Sequence, residues 1–293
     1  MRTGRLAPTP SGHLHLGNAL AFGAAWLSVR NPPGFQASHQ ASHQASHQAS
    51  HQESRQENSA RLLLRIEDLD RGRAREDIAE SQRADLRWLG IEWDEEVTPQ
   101  SQRSYTLEGL DTYRCGCSRA TRLSWGCRCR FLQDGSGSNV GGWRFRTPEG
   151  DVRVHDRARG WLELQPGDDP ILMRANGEAA YPLAVVMDDA RDCVTEVVRG
   201  ADLLDATAVQ VRLHEALSLP IPTYLHVPLI LGSDGRKLSK SHGSTELRAL
   251  RSAGWTAEKI WAMLLPLIGA TPPFETASID LLHVHRGPVT LPF

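Results

Sequence analysis

Two short segments near opposite ends of the chain constrain its fold more than any other feature. Residues 5–17 read Arg-Leu-Ala-Pro-Thr-Pro-Ser-Gly-His-Leu-His-Leu-Gly, and the apolar stretch that follows extends to Val29 and predicts a helix. Residues 234–241 read Asp-Gly-Arg-Lys-Leu-Ser-Lys-Ser. Glycine lets a backbone crowd against a nucleotide, and the first amides of a helix favour an anion. Together the two segments predict a two-part ATP site on a doubly wound α/β fold.

Histidines and lysines supply the chemistry of this predicted ATP site. His13 and His15 lie on the approach to the helix N-terminus, where they can donate to phosphate oxygens. Lys237 and Lys240 place positive charges on a loop that can close over a triphosphate. We assign these four residues to catalysis by charge stabilisation, and we assign ATP binding to His13, His15, Gly17 and Lys240. The alternative is two unrelated surface loops with ordinary histidines and lysines.

Length, hydropathy and the first residues bound the class of protein. The 293 residues suffice for one large α/β domain with an insertion, or for two smaller domains. No stretch approaches the roughly 18 uninterrupted apolar residues of a membrane span, so we expect no membrane partner. Residues 1–5 run into the first motif rather than into an apolar signal core, so we expect a cytoplasmic protein.

A low-complexity repeat interrupts the first half of the chain. Residues 37–52 repeat Ala-Ser-His-Gln four times and continue as Glu-Ser-Arg-Gln to Gln56. The repeat has no apolar face to bury, so we expect a disordered surface loop. The alternative is a metal site, because histidines spaced by four form a stripe on a helix. These histidines are His39, His43, His47 and His51.

A cysteine cluster and a basic patch occupy the middle of the chain. Four thiolates would close a tetrahedral zinc shell, and without a secretory signal such clustering favours metal over disulfides, so we predict one structural Zn²⁺. The ligands would be Cys115, Cys117, Cys127 and Cys129. The alternative is four reduced, unliganded cysteines. Although the formal net charge is −2, residues 114–146 hold seven arginines and one acid, which is typical of a phosphate-binding surface or of a solvated basic face.

The hydropathy pattern predicts buried strands alternating with helices. The apolar strand within residues 61–70 ends in a cluster of charged residues. In parallel sheets the ligand-binding site lies at the carboxyl ends of the strands. Further strands are predicted at 3–7, 181–189, 194–198 and 226–231, with a β-like alternation over 143–164. Helices are predicted at 75–89, at 202–217 with Asp202 as N-cap, and over 244–270.

Five motifs in order resemble the glutamyl-tRNA synthetase family, which belongs to the class I aminoacyl-tRNA synthetases. Besides the two ATP segments they are Arg65-Ile-Glu-Asp-Leu-Asp70, Tyr181-Pro-Leu-Ala-Val-Val-Met-Asp-Asp189 and Val197-Val-Arg-Gly-Ala-Asp-Leu-Leu204. The resemblance spans most of residues 3–242 and favours RNA as the partner of the basic patch. It implies a Rossmann-like catalytic domain with an inserted, zinc-containing acceptor-side subdomain and a short helical C-terminal tail. The boundaries we expect are 1–97 and 171–242 for the catalytic halves, 98–170 for the insertion and 243–293 for the tail.

The same resemblance implies an amino-acid pocket for L-glutamate. Glutamate carries two carboxylates and one ammonium, so we assign Arg5 and Arg199 to the carboxylates and Glu67 to the ammonium. Tyr181 would supply a hydroxyl and a wall. The full set of predicted substrate-binding residues is Arg5, Leu6, Ala7, Pro8, Thr9, Glu67, Tyr181 and Arg199. The alternatives are a surface role for Arg5 and a strand-end ion pair between Glu67 and Arg65.

The family also implies the reaction and leaves alternatives open. Only 52 residues follow Ser241, which resembles short, zinc-containing members that lack an anticodon-binding domain. These members transfer glutamate, activated with ATP and Mg²⁺, to queuosine at the wobble position of tRNA(Asp). The family usually has Cys-x-Cys, then a tyrosine and a single cysteine, so the second pair leaves Cys127 open as a ligand. The alternatives are a truncated synthetase charging tRNA(Glu), a non-catalytic zinc-containing RNA-binding protein and a small-molecule ligase. We expect a monomer.

Overall fold

The computed structural model describes residues 2–31, 60–114, 142–232 and 245–291. Several of the sequence predictions concern residues outside these ranges. They are the histidine repeat at 37–56, the cysteines Cys115, Cys117, Cys127 and Cys129, and the lysines Lys237 and Lys240.

Strands and helices alternate along the described chain. The helices are α1 (Leu16–Arg30), α2 (Glu76–Trp88), α3 (Tyr181–Arg191), α4 (Leu204–Ala216), α5 (Leu247–Ser252) and α6 (Ala257–Leu264). The strands are β1 (Thr3–Leu6), β2 (Arg61–Leu64), β3 (Glu95–Glu96), β4 (Thr112–Arg114), β5 (Trp143–Phe145), β6 (Val152–Asp156), β7 (Gly160–Leu164), β8 (Ile171–Met173), β9 (Glu196–Gly200), β10 (Thr223–Val227), β11 (Ile230–Leu231) and β12 (Val289–Thr290). Within the described ranges, none of the helices has the length and hydropathy that a bilayer-spanning segment requires.

Two groups of parallel strands form the centre of the fold. In the first group β2 pairs in parallel with both β1 and β3. In the second, β10 lies parallel between β9 and β6, and β7 pairs antiparallel with β6. The groups meet where β1 lies beside β9, and there the Thr195 amide donates to the Thr3 carbonyl over 2.9 Å. The strand order changes direction at this boundary, so the carboxyl ends of β1 and β9 open into the crevice where α/β sheets bind ligands.

Helix α1 packs against both groups of strands and joins them to the C-terminal segment. Its buried residues lie on most of its faces, as expected of a helix enclosed on all sides. A Cβ on Gly23 would lie 2.5 Å from the Trp261 ring, so only glycine allows this approach. Trp261 in turn stacks on Phe274 with ring centroids 4.0 Å apart. The C-terminal residues therefore belong to the main core rather than to a separate tail.

Several of the predicted elements differ from those observed. The helix predicted over 244–270 is divided into α5 and α6, and the strand predicted at 226–231 is divided between β10 and β11. Residues 181–189 were predicted as a strand, but they lie in α3, which begins at Tyr181 with Pro182 in its first turn. The run Leu183–Val186 is entirely buried, and a helix buried on all sides has the same continuous apolar pattern as a central strand. The N-cap prediction for Asp202 is also wrong. Leu203 occupies that position without a side-chain hydrogen bond, after a 3-10 turn over Ala201–Leu203.

The boundary predicted for the insertion also differs from the sheet topology. Strands β6 and β7 lie within the predicted insertion of 98–170, yet β6 pairs with β10 of the parallel sheet. The antiparallel sheet β4-β5-β8 crosses the other predicted boundary, at residue 170. The alternation of exposed and buried residues in β6 is that of any half-buried strand, and it does not specify the partner strand.

Candidate active site

A cavity of about 430 Å³ opens at the carboxyl ends of β1 and β9. Most of the predicted site residues in the described ranges line it. They are Arg5, Ala7, Thr9, His15, Gly17, Glu67, Tyr181 and Arg199. The cavity also has walls that the sequence did not predict, among them Asn18, Phe22, Asp202 and Leu203. The structure thus brings together residues from four of the five motifs, including the first ATP segment.

Arg5 reaches the cavity from β1 and is held from behind. Its Nε donates to Asp189 Oδ1 over 3.2 Å, and its Nη1 donates to the Val198 carbonyl over 3.4 Å. Burial alone would raise the pKa of Asp189, but the guanidiniums of Arg5 and Arg65 outweigh burial and hold this pKa below its usual range. Asp189 is therefore an anion that fixes Arg5. With only 5% of its surface exposed, Arg5 is not the surface arginine of the alternative interpretation.

Glu67 lines the cavity and also forms the ion pair that the alternative interpretation described. Its Oε1 accepts from Arg65 Nη2 over 3.2 Å. Arg65 is fully buried and also contacts Asp189 and Asp192. Burial raises the pKa of Glu67, against the opposing effect of Arg65 and Arg5. The carboxylate is thus poorly solvated, which makes it a strong partner for a ligand cation that enters the cavity.

Arg199 extends from β9, and each of its three nitrogens has a protein acceptor. Nε contacts His226 Nε2 at 3.2 Å, and Nη1 contacts Gln210 Oε1 at 2.8 Å. Nη2 donates to Thr207 Oγ1 over 2.7 Å and to the Leu203 carbonyl over 3.3 Å. These contacts fix the guanidinium plane against the cavity.

Tyr181 forms part of the cavity wall, whereas Leu6 and Pro8 do not. Tyr181 begins α3, and burial raises the pKa of its hydroxyl, so the phenol stays neutral. Leu6 is fully buried in the core, and its carbonyl accepts from the Arg65 amide. The Pro8 carbonyl accepts from the Glu67 amide over 3.0 Å. Leu6 and Pro8 therefore hold the segment after β1 to the segment that carries Glu67.

The two motif histidines have different positions. His15 is the N-cap of α1: its Nδ1 accepts from the Gly17 amide over 3.1 Å, and it lines the cavity. A Cβ on Gly17 would lie 2.9 Å from the His15 ring, so this glycine makes room for the imidazole. His13 does not line the cavity; its Nδ1 lies 3.0 Å from Ser81 Oγ, and burial lowers its pKa.

The described part of the molecule does not test the metal and lysine predictions. Among described residues, no group of three or more His, Cys, Asp or Glu side chains could hold a metal ion. The sequence analysis did not single out two buried residues behind the cavity wall, His226, which contacts Arg199, and Asp156, which contacts His226. A lone histidine within the otherwise apolar strand β10 was the available signal, and it has little specificity.

Comparisons with known proteins agree with this architecture. The chain matches the family of class I tRNA synthetases (E and Q), catalytic domain, over residues 49–112 and 138–283. A solved glutamate tRNA ligase from Elizabethkingia meningosepticum, in complex with its amino acid, has a similar fold, with a TM-score of 0.71 at 20% identity. That similarity covers 99% of this chain and 66% of the ligase.

Sequence relatives extend the match over nearly the whole chain. The glutamyl-Q tRNA(Asp) synthetase of Symbiobacterium thermophilum is 35% identical over 100% of this chain and 96% of its own length. That of Deinococcus radiodurans is 36% identical over 96% of this chain and 95% of its own. The glutamate–tRNA ligase of Oleidesulfovibrio alaskensis is 34% identical over 95% of this chain and 59% of its own length. The chain belongs to the glutamyl-Q tRNA(Asp) synthetase family, within the class I tRNA synthetases.

Proposed function

We propose that this chain activates L-glutamate with ATP and Mg²⁺ and transfers the glutamyl group to queuosine at the wobble position of tRNA(Asp). In the first step a glutamate carboxylate attacks the α-phosphate, forming glutamyl-adenylate and releasing pyrophosphate. In the second step a hydroxyl group of the RNA takes the glutamyl group and releases AMP. The observation that carries the proposal is the convergence of two buried guanidiniums and one buried carboxylate on a single cavity. The relatives named for this reaction support the choice of acceptor.

The charges around the cavity are complementary to those of glutamate. Arg5 and Arg199 would bind its two carboxylates through charge-assisted hydrogen bonds, and Glu67 would bind its ammonium group. Thr9 and the Ala7 backbone would complete the ammonium site, and Tyr181 would close one side. The three charged residues assigned to glutamate are two cations and one anion, which suits a dicarboxylic amino acid better than a neutral one.

ATP would bind beside this pocket, at the start of α1. We assign its phosphates to His15 and Gly17 at the helix N-terminus, together with His13, Lys237 and Lys240. Because the Gly17 amide donates to His15, Gly17 would contribute by making room for the imidazole, which would itself face the phosphates. Mg²⁺ would enter with ATP as part of the substrate.

We also propose one structural Zn²⁺, held by Cys115, Cys117, Cys127 and Cys129. Four thiolates in reducing surroundings form the donor set that zinc prefers. Its role would be to order the arginines of residues 114–146 for the RNA phosphates. Chelation, or the change Cys115→Ser, should therefore impair glutamyl transfer to RNA more than pyrophosphate exchange. Zinc-free purified protein, or an equal loss of both activities, would contradict this assignment.

One incubation tests the proposed reaction against its alternative. The purified protein is given labelled glutamate, ATP and either queuosine-containing tRNA(Asp) or tRNA(Glu). We expect label only on tRNA(Asp), and pyrophosphate exchange without any tRNA. Label on tRNA(Glu) would instead indicate a glutamate–tRNA ligase activity, the alternative that the Oleidesulfovibrio alaskensis relative favours. We propose that the protein acts as a monomer in the cytoplasm, and light scattering tests the first of these.

A further inference from the structure

A chain of three side chains lies behind the cavity wall. Arg199 Nε contacts His226 Nε2 at 3.2 Å, and His226 Nδ1 lies 2.8 Å from Asp156 Oδ2. His226 and Asp156 are fully buried, and Arg199 is 5% exposed. Only Arg199 lines the cavity. The chain therefore runs from the cavity wall on β9, through β10, to the carboxyl end of β6.

Hydrogen-bond chemistry determines where the ring proton of His226 resides. A guanidinium only donates, so Nε2 of His226 accepts from Arg199 and carries no proton, and the Thr207 hydroxyl, whose Oγ1 lies 3.1 Å away, is then a second donor to this nitrogen. The proton of the neutral imidazole is then on Nδ1, which donates it to Asp156. Burial is the largest influence on the pKa of His226 and lowers it, and the opposing hydrogen bond to Asp156 does not reverse that shift. A protonated ring would direct a second donor at Arg199.

Asp156 is held firmly enough to fix this tautomer. Its Oδ2 accepts from the His226 amide as well as from the imidazole, over 2.9 and 2.8 Å. Its Oδ1 accepts from the amides of Ala158 and Arg159, each over 2.9 Å. The carboxylate therefore has four N–H donors and one orientation. Burial raises the pKa of Asp156, but the hydrogen bonds from His226 outweigh burial and hold this pKa below its usual range.

The orientation of Arg199 depends on this support. Gln210 and Thr207, both on α4, hold its two terminal nitrogens, and His226 holds Nε from β10. Without the acceptor on β10, Nε would have no hydrogen-bond partner, and only the terminal nitrogens and the contact of the guanidinium with the Tyr224 ring, 5.4 Å from its centroid, would resist a tilt. A charge-assisted hydrogen bond from a guanidinium to a carboxylate depends on the direction of the N–H group, so a tilt of the guanidinium weakens binding.

We propose that His226, with its tautomer set by Asp156, is a positioning residue that orients Arg199 for a carboxylate of glutamate. This inference rests on the proposed function, because it assumes that glutamate is the ligand of the cavity. His226 does not line the cavity and acts through Arg199. The network thus contributes to substrate affinity and not to the chemical step.

Two variants at His226 separate the support of Arg199 from simple core packing. In His226→Asn the amide lies near the position of Nδ1, so Asp156 keeps a donor but Arg199 Nε loses its acceptor. In His226→Gln the longer side chain places an amide oxygen near the position of Nε2 and restores that acceptor. We expect His226→Asn to raise the KM for glutamate about 10- to 100-fold, with kcat and the KM for ATP nearly unchanged. His226→Gln should recover most of the loss.

The matched control is His214→Asn. His214 is a second buried histidine, on α4, and it does not line the cavity. We expect its substitution to lower the melting temperature without changing the KM for glutamate in pyrophosphate exchange. Equal rises in this KM for His226→Asn and His226→Gln, following their losses in melting temperature, would overturn the positioning role. A KM for glutamate unchanged in His226→Asn would also overturn it.

A measurement on the wild-type protein is independent of activity. Nitrogen NMR of protein labelled in its histidines, with His226→Asn to assign the signal, should show a protonated Nδ1 and an unprotonated Nε2 at pH 7. A proton on Nε2 would overturn the proposed network even in an active enzyme. If the wild-type protein forms no glutamyl-adenylate, the proposed function fails, whereas the NMR result still reports on the network.

Discussion

At the scale of single residues, the candidate site consists of buried charges, each with its own support. Arg5 forms an ion pair with Asp189, and Glu67 forms one with Arg65. Arg199 donates hydrogen bonds to acceptors on α4 and β10. An ion taken out of water costs several kcal/mol unless it is paired, so these partners are a condition for the site to exist. A substitution at such a residue changes stability as well as binding, and each prediction must measure both.

The change Arg199→Ala removes one of the two guanidiniums of the cavity. We expect kcat/KM for glutamate to fall by the equivalent of about 2–5 kcal/mol, the usual cost of breaking a desolvated charge pair, with little change in the KM for ATP. Pyrophosphate exchange at varied glutamate concentrations measures the effect. Arg212→Ala is the control, because Arg212 lies on α4 but bonds to Glu215 and to the Gly150 carbonyl. Similar losses in both variants would refute the assignment of Arg199.

The change Gly17→Ala tests the start of α1. The added Cβ would lie 2.9 Å from the His15 ring and would displace it from its N-cap position. We expect a loss of about 1 kcal/mol in the free energy of unfolding, typical of a lost cap, together with a higher KM for ATP. Urea denaturation and initial rates check the two effects. An unchanged KM for ATP would contradict the assignment of His15 to the nucleotide site.

At the scale of elements, helix α2 carries a buried carboxylate that no hydrogen bond from the described residues stabilises. Asp85 is fully buried, and neither of its carboxylate oxygens has a hydrogen-bond partner among the described residues. Burial raises its pKa to about 6 despite the nearby Arg251 and Arg248. The folded-state pKa therefore exceeds the unfolded one. The stability tied to Asp85 is complete below about pH 4 and is lost as the pH rises through about 6.

The change Asp85→Asn should remove this penalty. At pH 8 we expect the variant to be more stable than the wild type by about 1–3 kcal/mol, a difference that shrinks toward zero near pH 4.

Asp94→Asn is the control, and its effect on stability should have the opposite sign. Burial alone would raise the pKa of Asp94, but hydrogen bonds from Arg30 and the Leu62 amide outweigh it and lower that pKa. That variant should be less stable than the wild type at pH 7, and the difference should vanish in acid. Urea denaturation across this pH range checks both, and a pH-independent difference for Asp85→Asn would contradict the argument.

At the scale of the whole molecule, the sequence predicts what lies close together along the chain. The unit of β1, α1, β2 and α2 was predicted nearly to its boundaries, because strand and helix periods and the histidine motif are local signals. Helix α3 was predicted as a strand, because a helix that is buried on all sides lacks the alternation of apolar and polar residues that identifies a helix. The pairing of β6 with β10 and the contact of His226 with Asp156 join residues about 70 positions apart, and no local pattern specifies them.

The C-terminal segment stabilises the whole fold through Trp261. Its ring stacks on Phe274, and its Nε1 donates to the Leu89 carbonyl over 2.8 Å. We expect Trp261→Ala to cost about 3–5 kcal/mol of unfolding free energy. Trp261→Phe keeps an aromatic ring but loses the hydrogen bond and part of the ring volume, so its cost should lie between about 1 kcal/mol and the cost of Trp261→Ala. Denaturant titration orders the variants, and a small loss in Trp261→Ala would contradict the place of this segment in the core.

The buried ion pairs beneath the cavity also determine how the two halves of the chain recognise each other. Residues before the cysteine cluster contribute the arginines Arg5, Arg65 and Arg103, and α3 and its C-cap contribute the aspartates Asp188, Asp189 and Asp192. In either half alone these charges would lack their partners from the other half, and removal of either partner of a buried pair costs about 3–5 kcal/mol. The halves are thus electrostatic complements. We therefore expect a chain cleaved between the halves to reassemble into a two-fragment enzyme, and we expect neither fragment to fold well on its own.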